Sequence, residues 1–467
     1  MPLNKHELKH NAAYAFTAQL LALVLSIIMS LIVPKIIGVR PFSFWQLFIF
    51  YTQYGGFLHL GLNDGVYLRL GGKKYTGLNY DLLGSEYKYG ILVQTLVCIS
   101  ICIVSFFFCG EERWNVILLS CICTLISNTV SFFGYILQAV NNTKAYSLSM
   151  IYEKVVFISI LLALFIIKED NYIYLIVFYI VARLVAMCYC IYQAKEVLFS
   201  NWRKWSEICK DLFENIKVGL TLTVSNVASM LILGIGRFMT DAKFGIEEFG
   251  KLSFAIMLTN FFLVFMQQVS LVLFPALRRL NQQELPTLFK EMNTTITVLS
   301  PILLVSYPLI YLFMSFWLPA YKESITYLIF LLPLTCYDGK MQMLFNTFLK
   351  VSRRERVMLY INAIACFISI ILCGIAVYAF HSIVLVALAM LISLMIRSFI
   401  AERYLSQLYE VHKDNNIKTF AALCISFVVL YYFCNIIVAT SIYVFILLAY
   451  EYKQRSLIMR ILIKLKK

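Results

Sequence analysis

Apolar runs of roughly 18 to 25 residues recur along the whole chain, the length an α-helix needs to cross about 30 Å of hydrocarbon. They fall near residues 11–33, 42–63, 89–109, 115–139, 146–167, 171–193, 217–240, 252–277, 293–318, 324–349, 357–380, 382–402, 418–436 and 438–452. Such runs exclude the short alternating segments of a membrane barrel. They predict an all-α polytopic membrane protein with about 14 transmembrane helices. The last run holds only about fifteen residues before Glu451, so twelve spans plus a re-entrant or interfacial hairpin is the alternative count. The first run lacks a small-residue cleavage site after it and is read as a span.

Composition agrees: 61% of the 467 residues are apolar and 14% are charged, against about 25% charged in soluble domains. The positive net charge of +15 does not call for nucleic acid, because Lys and Arg sit where membrane insertion needs them. With the N-terminus inside, alternating spans put 28 of the 40 basic residues in inner segments, 7 in outer loops and the other 5 in or at the ends of spans. The expectation is a bacterial inner membrane protein with both termini cytoplasmic. Most of the 13 cysteines lie in apolar spans as small hydrophobes, and neither Cys-x-Cys pair has partners at metal-ligand spacing.

Two stretches outside the spans are amphipathic. From Trp202, the residues Trp205, Ile208, Leu212 and Ile216 recur at helical spacing opposite Arg203, Lys204, Lys210 and Asp211, which predicts a helix lying flat on the cytoplasmic surface. The tail repeats this with Leu457, Ile458, Ile461, Leu462 and Leu465 against Arg460, Lys464, Lys466 and Lys467; both stretches read as anchors to anionic lipid. The predicted organisation is spans 1–6 in residues 1–193, a linker at 194–216, spans 7–12 in 217–405, an extra helix pair at 418–452 and a basic tail at 453–467. A shift of 207 residues lays Gly38-Val39 on Gly245-Ile246, Phe42 on Phe249, Ile49 on Ile256 and Thr52 on Thr259. Parallel repeats of six spans each are therefore expected, an architecture of alternating-access transporters.

Gly245 to Lys251 spells Gly-x-x-x-x-Gly-Lys, but Leu252 stands where a phosphate-binding loop needs a hydroxyl for magnesium, and the segment is an outer loop. No nucleotide site and no cofactor are expected; a proton or sodium gradient, or the substrate's own, would supply the energy. Outer loops of about a dozen residues at most, and five scattered His, offer no catalytic constellation, so the chain is read as a transporter and not an enzyme. Charges inside spans are expensive unless they face a cavity or a partner. Glu153 and Lys154 lie in the fifth run and Arg183 in the sixth. At 1.5 Å per residue, Glu153 and Arg183 differ by only about 5 Å in depth, so an ion pair is available to them. Arg237 stands near the outer end of the seventh run with Asp241 one turn on, and Asp338 and Lys340 follow a helix break expected at Pro333. Arg397 is expected to reach the cytoplasmic interface by snorkelling.

Asn11 to Pro34, then Phe44-Trp45-Gln46-Leu47 and the tract Tyr54-Gly55-Gly56-Phe57-Leu58-His59-Leu60-Gly61-Leu62-Asn63-Asp64-Gly65-Val66-Tyr67-Leu68-Arg69, resemble the O-antigen-type polysaccharide biosynthesis flippases. These sit in a superfamily with drug exporters and the lipid II flippase. Phe249-Gly250, Leu273-Phe274-Pro275-Ala276-Leu277-Arg278-Arg279 and Phe348-Leu349-Lys350-Val351 are consistent with it, over most of the first 360 residues. The resemblance implies two pseudo-symmetric six-helix lobes in a V around a cationic cavity that opens alternately to each side. It implies an undecaprenyl-pyrophosphate-linked oligosaccharide as substrate, membrane lipids and polymerase machinery as partners, and a monomer. The cations this sequence offers for the pyrophosphate are Arg183, Arg237 and Lys340, with Glu153, Asp338 and Asp64 as gating or ion-coupling groups. In the lipid II flippase an extra helix pair lines a groove for the lipid, the analogy for residues 418–452. A multidrug or cation exporter on the same fold, and a membrane enzyme of glycan assembly, are the competing readings.

Overall fold

In a computed structural model that describes residues 5–167, 170–278, 283–411 and 416–455, the apolar runs lie mostly on helical backbone, the second being interrupted by a turn at Leu60 and Gly61. The elements are α1 (Lys5–Ile27), α2 (Val33–Ile37), α3 (Val39–Gly55), α4 (Leu62–Leu70), α5 (Tyr80–Phe108), α6 (Glu111–Ala139), α7 (Thr143–Ile167), α8 (Tyr172–Gln193), α9 (Lys195–Leu198), α10 (Trp205–Phe244), α11 (Ile246–Arg278), α12 (Leu285–Leu299), α13 (Tyr307–Trp317), α14 (Lys322–Lys340), α15 (Asn346–Val351), α16 (Glu355–Gly374), α17 (Ile383–Leu408), α18 (Asn416–Phe433) and α19 (Ile436–Lys453). Among the described residues, ten helical segments are long and apolar enough to span a bilayer, with Lys418–Phe433 a shorter apolar helix. The predicted tail beyond residue 455 lies outside the described residues.

Ion pairs and hydrogen bonds join loops that the alternating spans assign to the same side. Arg40 meets Glu112 at 2.7 Å and Lys251 meets Glu323 at 2.6 Å, all four from predicted outer loops. On the opposite side Arg69 meets Asp211 at 3.3 Å, and Tyr75 donates to Glu196 at 2.8 Å. That hydrogen bond, after the one from Glu196's own backbone, holds the Glu196 carboxyl below its ordinary range.

The chain divides into two compact units, Met1–Val227 and Ala228–Lys467, the boundary falling inside α10. The first is built on α7 against α1 and α8, and α6 against α3, α4, α5 and α8; the second on α14 against α11 and α17, and α16 against α17. The two positions the 207-residue shift aligns have the same local geometry. Gly38 (φ 78°) and Gly245 (φ 91°) take a left-handed conformation that a side chain would strain, each just before a helix. The amide of Phe42 then bonds to the Gly38 carbonyl at 3.3 Å and that of Phe249 to the Gly245 carbonyl at 3.2 Å, and both rings are fully buried. The Gly-x-x-x-x-Gly-Lys string is thus a helix connection. Its Lys251 is engaged by Glu248 at 2.8 Å as well as by Glu323.

The linker corrects one expectation. Residues 205–216 do not form a separate flat helix but the first three turns of α10, which runs 40 residues without a break. Its apolar stripe faces protein instead of lipid: Ile208 is fully buried, and Leu212 and Ile216 join a core with Leu62, Val66, Leu83 and Phe133. What lets α10 come so close is glycine. A Cβ on Gly65 of α4 would stand 1.9 Å from the Asn215 carbonyl oxygen, and one on Gly219 of α10 would stand 2.0 Å from the Gly61 carbonyl oxygen. Small residues that let helix backbones touch are a main source of packing energy where lipid removes the hydrophobic drive. Gly65→Ala is therefore expected to destabilise the detergent-solubilised protein by about 1–3 kcal/mol through forced separation of α4 and α10. Gly56→Ala, where an added Cβ meets nothing within 4 Å, should melt like the wild type. Equal melting temperatures for Gly65→Ala and Gly56→Ala would show that the contact is not tight.

Candidate functional site

Among the described residues the spans hold two clusters of buried, ion-paired charge, one in each unit, besides Arg237 with Asp241 on α10 and Glu86 on α5. In the first unit, α7 carries Glu153 and Lys154 and α8 carries Arg183, and the pair expected from depth forms: Arg183 Nη1 lies 3.0 Å from Glu153 Oε2. Arg183 is fixed further by donating from Nε (3.2 Å) and Nη2 (3.0 Å) to Tyr179 Oη. The Tyr179 ring meets Trp45, Phe48 and Phe157 edge-on at 5.6, 5.8 and 5.1 Å between centroids. An aromatic wall therefore holds the guanidinium in place for the carboxylate. Lys154 is 8% exposed and has neither a hydrogen bond nor an ion pair among the described residues. Two cations against one carboxylate leave this cluster with a net positive charge.

The second unit is organised the opposite way. Asp338 and Lys340 on α14 are two residues apart, so they point in different directions, and α17 answers each with the opposite charge. Arg397 Nη1 lies 3.0 Å from Asp338 Oδ1 and Lys340 Nζ lies 3.0 Å from Glu402 Oε2. Arg397 also donates to Asn362 Oδ1 of α16 and Ser229 Oγ of α10, both at 2.8 Å, while Gln342 donates to the second oxygen of Asp338. Lys340 donates to Thr297 at 2.8 Å, and Asn293 donates to Glu402 at 2.6 Å.

Arg397 does not snorkel: it is 1% exposed. Lys340 is equally closed in and neutralised by its partner. Nor does Pro333 break its helix, since α14 continues through it to Lys340 and the irregularity is a π-helical turn at Met341–Phe345. Widened turns of this kind occur often at functional positions. Arg237 is buried toward the C-terminal end of α10, donating to Ser253 at 2.9 Å with its guanidinium 5.0 Å from the Phe249 ring centre. Asp241 beside it is buried too.

The tract from Tyr54 to Arg69 has a structural task. After α3 the chain tightens into a 3-10 turn, passes Leu60 (φ 52°) and Gly61 (φ 90°) in the left-handed region, and re-enters a helix as α4. Asp64 in the first turn of α4 accepts from Thr223 of α10 at 2.7 Å. Arg69 at its end reaches Asn215 at 2.9 Å and Asp211 at 3.3 Å. Asn215 in turn donates at 2.7 Å to Glu86 of α5, a carboxylate with no exposed surface.

Lys154, Glu402, Arg397 and Glu86 are the residues whose roles the sequence did not convey. Lys154 and Arg397 were visible as charges inside spans. Glu402 closes the run at 382–402, and Glu86 falls outside every run.

The helical bundle is similar in fold to solved transporters of the multidrug/oligosaccharidyl-lipid/polysaccharide superfamily. The chain is similar to an inward-facing multidrug resistance MATE transporter of that superfamily (TM-score 0.64, 13% identity, 86% of this chain and 100% of the other). It is similar to the lipid II flippase MurJ in an inward closed conformation (TM-score 0.63, 14% identity, 97% and 99% of the two chains). A Vibrio cholerae MATE transporter matches with TM-score 0.57 at 15% identity over 88% of this chain and 98% of its own. Residues 83–281 match the family described as polysaccharide biosynthesis protein. No curated protein matches the chain in sequence. Coverage of 97% leaves too few residues unmatched to omit both α18 and α19, so the C-terminal pair has at least a partial counterpart in MurJ.

Proposed function

We propose that this protein is a flippase carrying an undecaprenyl-pyrophosphate-linked oligosaccharide from the cytoplasmic to the outer leaflet of a bacterial inner membrane, by alternating access and with both termini inside. The observation that carries the reading is the surplus cation at Glu153, Lys154 and Arg183. A buried ammonium that no carboxylate neutralises is costly in a span, and a transported pyrophosphate would offset that cost as it binds. A cation exporter calls for a surplus of buried carboxylate instead, and the second unit's pairs are balanced. The match of residues 83–281 to a polysaccharide biosynthesis family supports the glycan part of the reading. A proton or sodium gradient is the proposed drive.

Deleting the gene in a strain without a second flippase should strand lipid-linked oligosaccharide on the cytoplasmic leaflet and remove the corresponding surface glycan. Susceptibility to cationic drugs should not change. Normal surface polymer together with raised drug susceptibility would replace the flippase by an exporter.

A further inference from the structure

A second polar site lies in the first unit, away from Glu153 and Arg183. Beside α4 and the start of α5 is a pocket of about 160 Å³ whose walls include Val66, Leu70, Leu82, Arg69, Lys73 and Glu86. Glu86 is wholly buried; one carboxylate oxygen accepts from Asn215, and the other, Oε2, has no hydrogen-bond partner among the described residues. A buried, half-satisfied carboxylate is costly unless a proton, a cation or a donor completes it.

The neighbouring charges do not complete it. On α4, Arg69 is turned to Asp211 and Glu214 of α10, at 3.3 and 3.8 Å, and to the Asn215 side chain. Lys73, in the loop between α4 and α5, is exposed at the pocket and has no ion pair among the described residues. The loop is held in shape by backbone bonds from Lys73 to Leu70 (3.0 Å), Gly77 to Lys74 (3.1 Å) and Gly72 to Ala139 (3.0 Å). One wall of the pocket thus contains an unsatisfied acceptor with no exposed surface, its exposed part carries a cation, and leucines are among its other walls.

We infer that this pocket binds a zwitterionic ammonium–phosphate group, as in a phosphatidylethanolamine headgroup, with its ammonium on Glu86 Oε2 and its phosphate toward Lys73. The order follows from burial: the charge pair at depth gains most from low dielectric, and the exposed lysine can hold a phosphate that stays partly hydrated. Ethanolamine is favoured over choline because a quaternary ammonium has no N–H to donate to Oε2. A metal ion is disfavoured by Arg69 close by and by the lack of any cluster of three metal-ligating side chains among the described residues. The volume is several times the roughly 30 Å³ of one water, enough for a headgroup. The site stands whether or not the flippase reading does.

Purified full-length protein in detergent would be titrated with short-chain phosphatidylethanolamine, with the matching phosphatidylcholine and with soluble glycerophosphoethanolamine, and binding read by native mass spectrometry and thermal shift. Phosphatidylethanolamine should bind about tenfold or more tighter than phosphatidylcholine, the weight of a hydrogen bond to a charged group. Glu86→Gln should abolish that preference, and Lys73→Glu, a change at an exposed residue that leaves the fold alone, should weaken phosphatidylethanolamine by a similar factor. Binding of glycerophosphoethanolamine with the same dependence on Glu86 and Lys73 would support the site with a free headgroup as its source; binding of the lipid alone would support it with the bilayer as its source. Equal affinity for the two lipids in the wild type, or an ethanolamine preference that survives both substitutions, would overturn it.

Discussion

Arg397→Ala should cost this protein about 3–5 kcal/mol, the penalty for stranding one partner of a buried ion pair. Asp338 would keep a carboxylate at 8% side-chain exposure with only Gln342 to solvate it, and Asn362 and Ser229 would each lose a donor. The expected result is a collapse of folded, monodisperse protein after extraction. Removing both charges together, Asp338→Asn with Arg397→Met, should recover most of the loss, since the penalty belongs to the unpaired charge more than to the missing attraction. Arg40→Ala is the control: that pair is exposed on both sides, 58% and 50%, and its loss should leave the melting temperature unchanged. An Arg397→Ala protein that melts like the wild type would mean the guanidinium finds water after all.

Why Arg397 was misjudged is a matter of one helix end. Hydropathy closes the run on Glu402, with Arg403 following, which puts Arg397 within reach of the interface. The helix in fact continues to Leu408, and Glu402 turns inward to Lys340. Runs of apolar residues report how long a span is but not which face of it is covered by protein. Buried charges fall where that distinction matters, because a partner on another helix is invisible to a linear reading. The Glu153–Arg183 pair was accessible to the sequence only because both residues lie far from any loop, so depth alone brought them level.

The second gap is the cytoplasmic-side network, by the sidedness the spans assign. Asp211 reads as part of the polar face of a surface helix and Ile208, Leu212 and Ile216 as its lipid-facing stripe, while Glu86 and Asn215 carry no signal of burial. Both readings follow from treating residues 205–216 as a surface element. Once α10 is one 40-residue helix packed on α4 through Gly61, Gly65 and Gly219, the same stripe enters a core and Glu86 becomes buried. Amphipathic spacing is the same for a helix on lipid and a helix on protein, so periodicity could not separate them. The glycines are legible as part of a motif, but their use, backbone against backbone, depends on partners 150 or more residues away, Asn215 for Gly65 and Gly219 for Gly61.

Lys154→Gln should separate function from stability, and in opposite directions. The residue is 8% exposed and makes no hydrogen bond or ion pair among the described residues, so removing its charge removes a desolvation cost that Glu153 only partly offsets, and the melting temperature should hold or rise. Flipping of a pyrophosphate-linked lipid by the protein reconstituted in vesicles should fall by about 10- to 100-fold, the loss of a charge-assisted hydrogen bond to the anion. Arg183 predicts a different pattern, because its charge is committed to Glu153 at 3.0 Å. Arg183→Glu alone places two carboxylates together and should misfold. Combined with Glu153→Arg, it restores the local balance and, with Lys154 intact, should restore both folding and flipping. The swapped pair carrying Lys154→Gln should fold and fail to flip. If Lys154→Gln flips at the wild-type rate while the folded swap does not, the anion's partner is Arg183, and the ion pair is a state the substrate must open.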